Sequence, residues 1–333
     1  MNGFLKGIFE AGVVLGLTIS AGVFKMDLND IIQNNLKNLP NIAIEQTQKE
    51  FPGTFDPSKL FNNNGQRIDP KLKIQYIAVG SGEAVLLSAQ GEVVLIDGGP
   101  EEYKDSLYEY LKEYRIKKIN SVIITTPTKE NIGALDKIIE EFDVEKVYSA
   151  RFQDREDEAT KKEKKELLDA ADKKILKLNY IKEGEKIKIG QGEFTVLNSG
   201  NRGENIKEQS LVLNLKYYDK SFMFTNGIDK NTLKKINQKY NLGKVEIFKA
   251  PDKGKDNTID YMFLNTIKPA YSIIIQNDET PVLTDRTGLD IRTIKQIGGK
   301  LYTADKKKTI QVIYDGQELN IQEVNNTLKR KTN

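Results

Sequence analysis

Residues 93–99 read VVLIDGG, and residues 122–135 read VIITTPTKENIGAL. Each stretch opens on aliphatic and β-branched residues, which favour a strand, and then continues into a loop. In residues 132–142, apolar side chains recur at the i, i+3, i+4, i+7 spacing of a helix that packs one face on a core. We expect three glycines to be backbone requirements of these loops, for tight turns and for a helix start close to the sheet: Gly98, Gly99 and Gly133.

Further strings extend this pattern on both sides. They are IAVGSGEAVLL at 77–87, SLVLNL at 210–215, SFMFTNGID at 221–229, and VEIFKAPDKG at 245–254 followed by FLNTIKPAYSIII at 263–275. From residue 71 onward, strand patterns alternate with amphipathic helix patterns, such as a helix over 104–114. The alternation predicts two sheets with helices outside them.

In this order, the strings resemble the metallo-β-lactamase fold superfamily, and within it the hydrolase domain of bacterial competence DNA-uptake (ComEC-type) proteins. That branch has a DVGQGD-like turn, then LIDGG, a THPHADHIGG-like metal loop, NSLVL, a TGD segment and a PHHG loop. The resemblance covers about residues 71–320. It implies an α/β (α+β) fold, a four-layer αββα sandwich of metallo-β-lactamase type, over residues 71–323.

The metal ligands that the resemblance implies are replaced in this sequence. The positions that match the family's metal site, and that would line a ligand cleft, are Thr126, Thr128, Glu130, Asn131, Gly227, Asp252 and Lys253. In the first turn, the family's Asp, Gln and Asp correspond to Ala78, Ser81 and Glu83, whereas Asp97 of LIDGG is retained. Because threonine hydroxyls are poor neutral ligands for zinc, we expect no zinc site and no other bound cofactor.

The composition excludes most other hydrolytic chemistry. The 333 residues include no histidine and no cysteine, so Ser-His-Asp triads, HExxH zinc sites, thiol catalysis and disulfides are ruled out. Lys and Arg number 51 and Asp and Glu number 48, which gives a formal net charge of +3. This balance argues against a strongly electrostatic nucleic-acid binder.

We therefore expect a catalytically inactive pseudo-hydrolase that serves as a binding or scaffolding module at the bacterial cell envelope, with an unknown protein as its partner. One alternative is a cation-dependent phosphodiester hydrolase, in which Asp97, Glu130 and Asp252 hold Mg²⁺ or Ca²⁺ through carboxylate oxygens. In the competing interpretation, Asp97 braces loop amides and Glu130 pairs with Lys129 or Lys253. A third possibility is a DNA-uptake accessory protein that binds nucleic acid without cutting it.

The N-terminus suggests where the protein resides. Residues 1–25 form an apolar segment in which Lys6 precedes an uncharged stretch, which is typical of a signal peptide or a membrane anchor. Glu10 opposes this interpretation, because a carboxylate in a bilayer is costly, so a cytoplasmic location stays the alternative. Residues 26–70 read as a spacer with a short helix, and residues 324–333 as a basic tail.

Overall fold

The structure is a computed structural model that describes residues 71–152, 156–199, 206–254, 258–276 and 289–329. The predicted apolar segment and the spacer lie outside these ranges. The strands of the first half are β1 (Leu72–Val79), β2 (Gly82–Ala89), β3 (Glu92–Ile96), β4 (Lys118–Ile119), β5 (Ser121–Ile124), β6 (Asp143–Val144), β7 (Val147–Ser149) and β8 (Leu178–Tyr180). Those of the second half are β9 (Lys186–Ile189), β10 (Gly192–Asn198), β11 (Val212–Tyr217), β12 (Lys220–Thr225), β13 (Ile247–Lys249), β14 (Tyr271–Ile275), β15 (Lys300–Ala304), β16 (Lys308–Tyr314) and β17 (Leu319–Asn325).

Two large sheets contain all of these strands except β4 and β6, which pair with each other. The first sheet has the order β17-β16-β1-β2-β3-β5-β7-β8, and the second has the order β15-β14-β13-β12-β11-β10-β9. In the first sheet, β3, β5, β7 and β8 run parallel. In the second sheet, β12 to β15 run parallel. Because parallel strands end at the same edge, the loops that follow β3 and β5 are neighbours, as are those that follow β12 and β13.

The helices connect the strands. They are α1 (Lys104–Glu113), α2 (Lys129–Ile132), α3 (Leu135–Glu141), α4 (Glu158–Lys173), α5 (Ile206–Gln209), α6 (Lys230–Lys239), α7 (Tyr261–Ile267) and α8 (Leu289–Ile297). The helix predicted over 132–142 is thus divided into α2 and α3 at Gly133 and Ala134. Within the described ranges, none of the helices reaches the length and apolarity needed for a membrane crossing.

Three apolar cores separate four layers. The inner faces of the two sheets share one core, to which β1 contributes Ile74 and β12 contributes Phe222. A second core joins the outer face of the first sheet to α1, α3 and α4, for example through Leu167. A third core joins the outer face of the second sheet to α6, α7 and α8, for example through Phe263. The predicted four-layer αββα sandwich is confirmed.

The C-terminal segment belongs to the sandwich as far as it is described. Strand β17 continues to Asn325, beyond the predicted domain boundary at residue 323. The Asn326 side-chain amide donates to the carbonyl of Ala78 at 2.9 Å, and Leu328 is buried in the outer core of the first sheet. The described part of the predicted basic tail is therefore attached to the domain.

Candidate functional site

Asp97 lies at the centre of a polar network at the carboxyl ends of the strands. It follows β3 with a φ of +56° and is buried. Its Oδ1 accepts from the backbone amide of Thr125 at 2.8 Å, and its Oδ2 accepts from the Thr125 hydroxyl at 2.5 Å. The side-chain amide of Asn226, which follows β12, donates to the same Oδ2 at 2.6 Å. Asp97 thus braces the neighbouring loop of its own sheet and also contacts the second sheet's loop.

The protonation of Asp97 is set by opposing effects. Burial raises the pKa of its carboxyl to about 6, while hydrogen bonds from Thr125 and Asn131 act to lower it. The nearby carboxylate of Glu83 adds to the rise. Every hydrogen bond donated to Asp97 favours its ionised form, so the raised pKa reflects the cost of removing this charge from water.

A buried ion pair adjoins this network. Lys249, the last residue of β13, is 2% exposed, and its ammonium group is paired with the carboxylate of Glu83 in β2, which is 4% exposed. The same ammonium donates to the carbonyl of Thr225 at 2.8 Å and to Oδ1 of Asn226 at 3.5 Å. A charge pair with so little exposure to water must be compensated by such contacts.

Hydroxyl and amide groups occupy the positions of the family's metal loop. Thr126 is buried and donates from its hydroxyl to Ser210 Oγ at 2.8 Å. A side chain at Gly227 would place its Cβ 3.3 Å from the Thr126 Oγ1. The Thr128 hydroxyl donates to Oδ1 of Asn131 at 3.2 Å. These side chains are therefore engaged with one another.

The remaining positions of the predicted cleft, Glu130, Asp252 and Lys253, are half-buried. Glu130 and Lys129 form an exposed ion pair at 4.0 Å. Lys253 donates from its ammonium to the carbonyl of Ser81, which ties the loop after β13 to the β1–β2 turn. Asp252 and Lys253 have φ values of 41° and 61°, so this loop adopts the left-handed conformation at two non-glycine residues.

The glycines predicted as backbone requirements lie where the chain approaches itself closely. Gly99 has a φ of +74°. A Cβ at Gly133 would lie 2.3 Å from the backbone nitrogen of Glu101. Gly98 donates its amide to the carbonyl of Asn131 at 2.8 Å. Close packing of these loops explains the glycines without any role in chemistry.

The three-carboxylate cation site offered as an alternative is not formed. Asp97, Glu130 and Asp252 do not bring their oxygens together. Among the described residues, the group of three acidic side chains whose oxygens lie within 4.8 Å of one another is Glu101, Glu163 and Glu166. Asp97 binds Thr125 and Asn226, and Glu130 pairs with Lys129.

The acidic group at Glu101 joins α4 to the loop after β3 and is compensated by lysines. Lys162 pairs with Glu101 at 2.7 Å and with Glu166 at 3.5 Å, and Lys104 pairs with Glu166 at 3.8 Å. Burial, together with a hydrogen bond to Glu101, raises the pKa of Glu163 to about 7. The lysines supply the positive charge that this group requires, so it fastens α4 to the loop.

The residues at the cleft do not fit the metal of the family that the sequence resembles. A catalytic zinc ion needs three or more nitrogen, sulfur or carboxylate ligands around an open position. Here the matching positions offer hydroxyls and an amide that bind one another. The buried Lys249 ammonium between Glu83 and Asn226 adds a fixed positive charge. We therefore derive no reaction step through a metal ion.

Sequence reasoning missed Lys249 as a member of the site. Its signal was a lysine directly after the apolar pair Ile247 and Phe248, where a buried parallel strand rarely carries a charge. Ser210 was read only as part of a strand, although its hydroxyl accepts from Thr126. Glu83 was noted only as a departure from the family's first turn, and Asn226 only as part of the string at 221–229. The structure brings both of them to Lys249.

Comparisons with known proteins give likenesses of structure only. No protein-family model matches the sequence, and a comparison with curated proteins finds no match either. Similar solved structures include the metallo-β-lactamase fold protein YhfI from Bacillus subtilis, at 10% identity over 70% of this chain and 96% of that chain, with a TM-score of 0.47. A diphosphatase of the PhnP family has 14% identity over 74% of this chain and 99% of that one, with a TM-score of 0.42.

A third similar structure is CmlA, a diiron β-hydroxylase from Streptomyces venezuelae. Its identity is 12% over 86% of this chain and 60% of that one, with a TM-score of 0.47. The diphosphatase and hydroxylase activities are those of the neighbours. Neither activity is transferred to this chain.

Proposed function

We propose that this protein is a catalytically inactive αββα domain that serves as a binding or scaffolding module at the bacterial cell envelope. The observation that carries the proposal is the buried Lys249 ammonium, which is paired with Glu83 and bonded to Asn226. This contact places a positive charge in the network around Asp97, the acidic residue retained from the family motif. The chain thereby supplies a cation to the site from its own sequence.

The chemistry available at the cleft supports inactivity. Hydrolysis at neutral pH needs a group that generates hydroxide or an activated nucleophile, and a metal-bound water is the usual source in such folds. The Thr125 hydroxyl, which lies beside a carboxylate base, is 1% exposed and accepts from Asn226 at 2.9 Å. A substrate cannot reach a hydroxyl enclosed in this way.

Metal binding by the full-length protein tests the proposal. Protein produced with zinc, manganese and magnesium available is analysed for metal content and titrated calorimetrically with each cation. We expect no stoichiometric metal and no binding heat, both in the wild type and in Glu130→Ala. One equivalent of metal that disappears in Glu130→Ala would overturn the proposal and restore the cation-dependent hydrolase.

A hydrolysis assay gives an independent readout. Bis(p-nitrophenyl) phosphate is incubated with the full-length protein and each divalent cation, with Glu130→Ala and Asp97→Asn as paired variants. We expect the wild type and both variants to match the rate without protein. Turnover by the wild type that either substitution abolishes would contradict inactivity.

The envelope location is proposed from the sequence of residues 11–24, which carry no charge. Fractionation of bacteria that produce the full-length protein tests it, with Leu17→Asp as the disruptive variant and Thr18→Ser as its matched control. We expect the wild type and Thr18→Ser to reach the membrane or exterior fraction and Leu17→Asp to remain inside. Identical distributions for all three would favour the cytoplasmic alternative.

The salt dependence of DNA binding tests the alternative in which the protein binds DNA without cutting it. Binding through phosphate contacts weakens steeply as salt rises. The near-neutral net charge of +3 leads us to expect no binding of duplex DNA at physiological salt. A protein partner of the envelope therefore remains the partner that we propose.

A further inference from the structure

We propose that the Lys249 ammonium is the resident cation of the buried polar network around Asp97 and that it holds the two sheets together. The inference rests on the proposed function, because it takes the cleft to be free of metal. Lys249 ends β13 of the second sheet, and its partner Glu83 lies in β2 of the first sheet. A single positive charge thus joins the two halves of the sandwich at the site.

The surrounding groups are arranged around a cation. The ammonium contacts the Glu83 carboxylate, the Thr225 carbonyl at 2.8 Å and the Asn226 carbonyl oxygen Oδ1 at 3.5 Å. All three partners present oxygen atoms, as the ligands of a hard cation would. Two of the three N–H donors of the ammonium bind the Thr225 and Asn226 oxygens, and the Glu83 carboxylate is held as an ion pair.

Asn226 extends the effect of the cation to Asp97. Its Oδ1 faces the Lys249 ammonium, and its Nδ2 donates to Asp97 Oδ2 at 2.6 Å. The lysine fixes this orientation of the Asn226 side-chain amide, because only an acceptor can face an ammonium group. The ammonium therefore compensates the buried Glu83 carboxylate directly, and it orients the Asn226 amide that donates to the buried Asp97 carboxylate.

Removing the ammonium should convert the cleft into a site for a free cation. Lys249→Ala deletes a propylammonium group and leaves the Glu83 carboxylate buried without its partner. Small primary ammonium ions fit the vacated volume, and they can enter while the chain is unfolded. The experiment therefore measures folding of the full-length protein rather than access to the native cleft.

Urea unfolding of the full-length variant, with and without propylammonium chloride, tests the proposal. We expect Lys249→Ala to lower the folding equilibrium constant by about a hundredfold or more, the usual effect of breaking a buried pair. Propylammonium should restore a large part of this loss in a concentration-dependent manner, whereas 1-propanol at the same concentrations should not. Magnesium ions, tested alone, should stabilise the variant and leave the wild type unchanged.

The matched control is Lys220→Ala, which breaks a more exposed ion pair between Lys220 and Glu246 at 3.3 Å. It should show a smaller loss and no response to propylammonium beyond that of the wild type. If 1-propanol restores the stability of Lys249→Ala as well as propylammonium does, Lys249 has only a packing role and the proposal is overturned. A Lys249→Ala variant that is as stable as the wild type would also overturn the proposal.

A second variant covers the case in which Lys249→Ala does not fold even with the amine. Glu83→Gln/Lys249→Met removes both charges and keeps the side-chain volumes, so it should fold and be at least tenfold more stable than Lys249→Met alone. If the double variant is as unstable as the single one, the charge pair is not the reason for the lysine. Metal binding by the wild type, which calorimetry measures separately, would instead refute the proposed function.

Discussion

At the scale of single residues, Asp97 links the cleft to a measurable pH dependence. Burial raises its folded-state pKa from 3.8 to about 6, so the folded chain holds the proton more tightly than the unfolded chain. The stabilising contribution is therefore complete below pH 3.8 and is lost as the pH rises through about 6. Because Asp97→Asn cannot titrate, the stability advantage of the wild type over this variant should shrink between pH 4 and pH 7, by up to about 3 kcal/mol.

Urea denaturation of the wild type and Asp97→Asn at both pH values measures the change. Asp143→Asn, which removes an exposed carboxylate from β6, controls for the loss of one charge. An advantage of the wild type that grows with pH would mean that the hydrogen bonds from Thr125 and Asn226 outweigh the cost of burial.

Gly82 is the residue at which the β1–β2 turn meets the loop after β5. A Cβ at this position would lie 1.9 Å from the carbonyl oxygen of Glu130 and 2.8 Å from Cδ of Pro100. Because backbone must shift to make room, we expect Gly82→Ala to cost about 3 kcal/mol. Gly91→Ala is the control, since nothing lies within 4 Å of its Cβ position and only its φ of +84° opposes alanine, at about 1 kcal/mol. Thermal unfolding should separate the two, and equal costs would contradict the close approach.

The residues of the site were only partly predictable from the sequence. Asp97 and its loop glycines stand out because a short motif contains them. The pairing of Lys249 with Glu83 spans more than half of the described chain, and nothing local in either segment indicates the other. Asn226 is likewise far from Asp97 in sequence. Such contacts depend on the packing of two sheets, which local patterns do not encode.

At the scale of elements, the end of α4 carries a residue that is unfavourable for its conformation. Ile175 has a φ of +58° and is 93% exposed. The Ile175 amide donates to the Asp172 carbonyl at 3.0 Å and the Leu176 amide to the Ala171 carbonyl at 2.9 Å, a Schellman motif that usually holds glycine. Ile175→Gly should therefore stabilise the fold by about 1 kcal/mol, since it relieves strain and loses little packing.

Thermal unfolding of Ile175→Gly gives this increment directly. Lys174→Gly is the neighbouring control, because Lys174 has a φ of −96° and gains nothing from glycine. We expect the control to be less stable than the wild type. A loss of stability in Ile175→Gly would show that the exposed side chain contributes contacts of its own.

Strong periodicity made most elements predictable, and weak periodicity explains those that were missed. Strand β3 and helix α1 lie within a residue of their predicted ranges, because both bury an uninterrupted apolar face. Strands β15 and β17 were not predicted. Each lies at the edge of a sheet and is exposed or half-buried at most positions, so the apolar alternation that identifies a strand is diluted.

At the scale of the whole molecule, the order of the strands indicates that the two sheets fold as one unit. Strand β1 pairs with β16, so the first sheet is completed by residues near the end of the chain, after the second sheet has been traversed. Both sheets also share the inner core, where Tyr76 of β1 stacks on Phe224 of β12 at a ring distance of 6.1 Å. Neither sheet can bury its inner face without the other, and this mutual dependence predicts cooperative unfolding.

Single-tryptophan variants test this cooperativity, because the sequence contains no tryptophan. Tyr148→Trp reports from β7 in the first sheet, and Tyr271→Trp reports from β14 in the second, both at partly buried positions against the inner core. We expect the two fluorescence transitions in urea to have the same midpoint, after allowance for the overall stability of each variant, which circular dichroism measures. Introducing Lys249→Met into both should shift the two midpoints together, because the buried pair with Glu83 crosses from one sheet to the other. Midpoints that separate would mean that one sheet persists without its partner, and the cleft would then be a boundary between independent halves rather than the place where they are joined.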